Sequence, residues 1–98
     1  MPEQGMTLEL LLQPGWSEEH YAYRGTVALG TDETLHLEVV VRGGEKWQAE
    51  VCSGDGPVDE KLASVLGSLT RKAVRSCVVR GQRPPRRVRR WRPQVDRP

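Results

Sequence analysis

Ninety-eight residues make one domain rather than two. The 15 Lys and Arg stand against 13 Asp and Glu, a net charge of +2, and 37% hydrophobic with 29% charged residues describes a globular chain with a modest core and polar tails. No apolar run approaches the ~20 residues that cross a bilayer, and the start lacks a basic stretch followed by an apolar one, so a cytoplasmic protein is expected.

Residues 7–12 predict a first strand with Leu8, Leu10 and Leu12 on one face, broken by Pro14 and Gly15. Residues 21–29 predict a second, with Tyr21, Tyr23, Val27 and Leu29 on one face. Gly25 interrupts that face and marks a bulge or close packing by a neighbour. Gly30, Thr31 and Asp32 make a turn. The third strand, 35–42, has the clearest alternation, with Leu35, Leu37, Val39 and Val41 inward. Gly43-Gly44 signals a two-residue hairpin, and 46–52 follows with Trp47, Ala49 and Val51 inward. Short links between consecutive strands imply an antiparallel meander.

A helix follows. Asp55 or Gly56 is expected to cap it, with Pro57 in its first turn and Asp59 and Glu60 at its positive end. Val58, Leu62, Val65, Leu66, Leu69, Ala73 and Cys77 keep the 3.6 period. Gly67-Ser68 weakens its middle by ~1 kcal/mol and invites a kink. Gly81 is a natural stop.

From residue 82 the pattern ends. Pro84, Pro85, Pro93 and Pro98, with seven Arg, predict an extended or disordered tail; a fifth strand over 86–92 is conceivable, but its alternation is poor. The expected fold is therefore α+β: a four-stranded antiparallel meander, one C-terminal helix across its apolar face, and an Arg/Pro-rich extended tail. Residues 1–81 would form the single ββββα domain and 82–98 a flexible basic tail. Leu11 and Val40 on the wet sheet face, with an edge strand, would support a homodimer.

The near-neutral average hides a strong asymmetry. Residues 1–70 hold 4 basic and 12 acidic residues, a net of −8, while residues 71–98 hold 11 basic residues and one acid, a net of +10. Such sorting points to a polyanionic partner for the tail, or to a tail that folds back on its own body.

Catalytic and metal chemistry find little support. Cys52 and Cys77 are 25 apart with no His pair nearby, and a straight helix would hold them about 30 Å apart, so free, partly buried thiols are expected, which suits a reducing compartment. His36 falls on the outer sheet face. His20 follows Glu18 and Glu19, but no placed nucleophile accompanies them. Gly54-Asp55-Gly56 is only a fragment of a phosphate loop, and the acids around it repel phosphate. No enzyme, cofactor or metal is expected.

The basic segment is the functional candidate. Arg83, Arg86, Arg87, Arg89, Arg90 and Arg92 cluster around Trp91, and Arg71, Lys72, Arg75 and Arg80 of the helix extend the surface. Guanidiniums bind phosphates bidentately, and an indole stacks on a base. Sequence-tolerant nucleic-acid binding is the leading expectation. A protein–protein adaptor or assembly subunit, as a homodimer or on an acidic partner, is the alternative. The Arg excess, 12 against 3 Lys, is also what a Gly-, Pro- and Val-rich coding bias produces, but bias does not explain the clustering.

Overall fold

Side-chain alternation builds the sheet in this computed structural model, which describes residues 5–30, 33–54 and 58–93. Strand β1, Gly5–Leu12, buries Met6, Leu8 and Leu10 on one side and turns Thr7, Glu9 and Leu11 to the other. Strand β2, His20–Leu29, buries Tyr21, Tyr23 and Val27; β3, Glu33–Arg42, buries Leu37, Val39 and Val41. β4, Gln48–Ser53, is shorter and half-buried on its inner face. Each pairs antiparallel with the strand before it, the meander expected from the short links.

The β3–β4 link is longer than a two-residue hairpin. It runs over residues 43–47, and the Gly43 amide donates to the Glu19 carbonyl, tying the link to the neighbouring β1–β2 connection. Thr31, Asp32, Asp55, Gly56 and Pro57, expected in a turn and at the helix cap, lie outside the described residues.

Helix α1, Glu60–Val79, covers the apolar face with Leu66, Thr70, Ala73 and Val74. Its N-cap is Asp59 rather than Asp55 or Gly56: the Asp59 carboxylate accepts from the amides of Lys61 and Leu62 at 3.1 Å. A carboxylate in contact with two otherwise unpartnered amides outcompetes a residue farther upstream. The helix ends at Gly81, φ +78°, where the Gln82 amide reaches the Cys77 carbonyl and the Gly81 amide the Val78 carbonyl, a Schellman closure. It does not break at Gly67-Ser68. Gly67 is buried against β4, and a Cβ there would sit 3.4 Å from the Ala49 Cβ.

One element goes beyond the expected four strands. The segment read as an extended or disordered tail is tied into the sheet as β5, Arg87–Pro93, antiparallel to β1, giving the order β4-β3-β2-β1-β5. Residues 94–98 lie outside the described residues. Three features make this strand without much apolar alternation. β1 would otherwise be an exposed edge of apolar sequence, which favours pairing. Val88, 1% exposed, drops into the core beside Leu10, and burying a valine contributes ~1.5–2 kcal/mol. Pro84 and Pro85 precede the strand and Pro93 ends it, so no interior amide of the ladder is lost. The helix approaches both edges of the sheet, lying closest to β4 and β3 and also touching β5. No helix is long and apolar enough to cross a membrane.

Candidate nucleic-acid interface

Strand periodicity sorts the β5 side chains. Val88 points into the core, so Arg90 and Arg92 share its side, facing the helix layer, while Arg87, Arg89 and Trp91 lie on the outer face. Their β1 partners on that face are Leu11, Glu9 and Thr7 in turn. All four of Arg87, Arg89, Arg90 and Arg92 are exposed. Trp91 is 54% exposed; its indole lies over Gly5, where a Cβ would collide with the ring, so glycine makes room for it.

Arg89 meets Glu9 at 3.7 Å, and elsewhere on the outer face Arg24 meets Glu38 at 3.2 Å. Both pairs are solvent-exposed and contribute ~0–1 kcal/mol each, too little to hold Arg89 back from a phosphate. Arg90 donates to the neighbouring Arg89 carbonyl at 2.8 Å.

On the helix, Lys72, Arg75 and Arg80 are exposed and border one shallow groove with Ser76 and Val79, while Arg71 is half-buried. The exposed Arg83 and Arg86 belong to the link between α1 and β5. The β5 cations lie on both faces of this edge strand, Arg90 and Arg92 on the helix side and Arg87 and Arg89 on the opposite face, and the link and the touching helix continue them as a basic flank. The expected free arm is thus a fixed surface. The same residues are presented, at positions set by the sheet.

A feature absent from the sequence expectations adjoins this flank. Pro14 and Gly15 turn the chain out of β1 and leave Trp16 40% exposed. Trp16 stacks on Tyr21 (centroids 6.1 Å apart, planes 22°), and Tyr21 stacks in turn on Trp47 (6.2 Å, 11°). The Tyr21 hydroxyl donates to the Glu18 carbonyl at 2.7 Å; burial, with the Glu18 charge second, raises its pKa. A groove of about 710 Å³ opens beside Trp16, bordered by Leu11, Pro14, Arg83, Pro84 and Arg86. An aromatic residue placed between turn formers in a polar loop was the available signal for this site.

His20 and His36 are both exposed. Cys52 and Cys77 are free, and Cys52 is exposed on the outer face rather than partly buried. Among the described residues no three His, Cys, Asp or Glu side chains gather into a cluster that would hold a metal ion. Comparison with protein-family models, curated proteins and solved structures finds no match.

Proposed function

We propose that the chain is a non-enzymatic module that binds nucleic acid with little sequence preference, in the cytoplasm, through the basic flank of α1, the link and β5. One observation carries this reading. Ten cations lie from Arg71 to Arg92, and of these ten only Arg89 has a carboxylate partner among the described residues. Uncompensated guanidiniums on a fixed surface attract phosphates, and released counterions supply the affinity. Trp91, half open on the outer face at the end of the row begun by Arg87 and Arg89, adds a stacking surface.

The test is titration of labelled oligonucleotides with the full chain at several salt concentrations. With about five phosphates engaged, log affinity against log salt falls with a slope near −4.5 for duplex or −3.5 for single strands. Affinity that does not change with salt rejects the reading.

A second reading is an assembly subunit, favoured by the unpaired outer edge of β4 and by Leu11, 50% exposed on the outer face. A second copy would pair along β4, or an acidic protein would dock on the basic flank. Light scattering separates these: a dimer mass independent of salt favours edge pairing.

A further inference from the structure

We infer that the groove beside Trp16 takes an unpaired base of a single-stranded nucleic acid, with Trp16 as the stacking platform and Arg83 and Arg86 on the flanking phosphates. This rests on the nucleic-acid reading above and adds a strand preference to it.

The Trp16 indole stacks offset against Tyr21, which is itself stacked on Trp47, and these contacts restrict the ring and lower the entropic cost of using it as a platform. The remaining surface borders the larger groove, whose volume of about 710 Å³ lies in the range of small-ligand sites. Its floor is apolar, from Leu11, Pro14 and Pro84, and its charged border is Arg83 and Arg86 with no acid. The smaller groove on the Tyr21 side carries Glu18 and Glu19 together with Arg83. A polyanion is repelled from that side and admitted on the other. An organic cation is disfavoured for the same reason, since both charged groups of the larger groove are guanidiniums.

The larger groove also leads onto the outer row of β5. Leu11, on its border, pairs with Arg87, and Arg89 and Trp91 follow on the same face at intervals of about 7 Å. Trp16 and Trp91 therefore stand at the two ends of a line of arginines. Bases inside a duplex are covered on both faces by their neighbours, so an indole platform serves only a strand whose bases are unstacked.

The experiment uses fluorescence anisotropy with a labelled 20-nucleotide strand of mixed sequence, the same strand annealed to its complement, and an abasic strand of equal length. Trp16→Ala is expected to weaken single-strand binding by roughly 5- to 150-fold, with less than a twofold change for the duplex; Trp16→Phe retains most of the affinity. The exposure of Trp16 keeps the fold intact, which a melting curve checks. Equal losses on both substrates, no loss on the single strand, or an abasic strand bound as tightly as the natural one overturns the inference. If Arg87→Gln with Arg89→Gln weakens binding while Trp16→Ala does not, the groove assignment fails and the basic flank stands. If the unaltered protein binds neither strand nor duplex, both fail.

Discussion

The Tyr23 hydroxyl donates to the Pro85 carbonyl at 2.7 Å, joining the middle of β2 to the link before β5 across 62 positions of sequence. Tyr23 is fully buried, and that burial, ahead of the charges of Cys77 and Tyr21, holds its proton well above the usual tyrosine range. The bond fixes the link and so aims Arg86 and the first residues of β5; the Leu12 amide, donating to the Arg86 carbonyl at 2.9 Å, continues the same anchor.

Tyr23→Phe should lower stability at neutral pH by about 1–2 kcal/mol, because the Pro85 carbonyl loses its partner. The alkaline behaviour should change as well. A tyrosine whose folded pKa is raised contributes stability that is complete below pH 10, the unfolded value, and lost as pH rises toward the folded one. Thermal melts of the unaltered chain should hold steady to about pH 9 and drop above pH 10. In Tyr23→Phe the drop should shrink to the smaller part due to Tyr21. An unchanged alkaline limb would show that Tyr23 ionises freely and that the bond is not kept in solution.

Removal of residues 83–98 should destabilise the whole domain, not merely strip off a charged arm. It takes away Val88 from the core, the acceptor of Tyr23 and the ladder along β1. The combined loss is about 3 kcal/mol or more, and the bared β1 edge should promote aggregation. Val88→Ala alone should cost about 2 kcal/mol and raise hydrogen exchange along 87–93. A truncated protein with unchanged melting temperature would contradict the pairing of β5 with β1.

Two glycines, half-buried Gly25 and buried Gly67, should respond in opposite directions. At Gly25 a Cβ would run into the Glu9 carbonyl oxygen of the adjacent strand, and backbone cannot give way cheaply. Gly25→Ala should cost on the order of 3 kcal/mol or prevent folding. At Gly67 the nearest atom to an added Cβ is the Ala49 Cβ at 3.4 Å, an ordinary contact, while alanine favours the helix. Gly67→Ala should raise stability by ~0.5–1 kcal/mol, as denaturant unfolding would report.

Charge variants of β5 give the cleanest test of binding, since the side chains concerned are exposed. Arg87→Gln and Arg89→Gln should each reduce the duplex salt slope by roughly 0.9 and weaken all sequences alike. Glu9→Gln releases Arg89 from its carboxylate and should strengthen binding while changing stability by less than ~1 kcal/mol. Losses confined to particular sequences would point to base readout rather than phosphate contact.

The amino-acid sequence by itself determined the meander, the helix and the sorting of charge. Those properties are local: alternating Leu and Val in residues 35–41, the apolar period from Leu62 to Ala73, and the basic run from Arg71 onward need no distant partner to be recognised. Only the tertiary structure decided the fate of the last segment and the position of Trp16. β5 pairs along a β1 edge some eighty positions away, and its single buried valine has value only because a core surrounds it. Trp16 becomes a platform only when Tyr21 and Trp47 back it and when the chain returns through Arg83 and Arg86 to wall the groove. Long-range pairing depends on which edges and surfaces the rest of the fold leaves open, and the local pattern of a segment does not encode that.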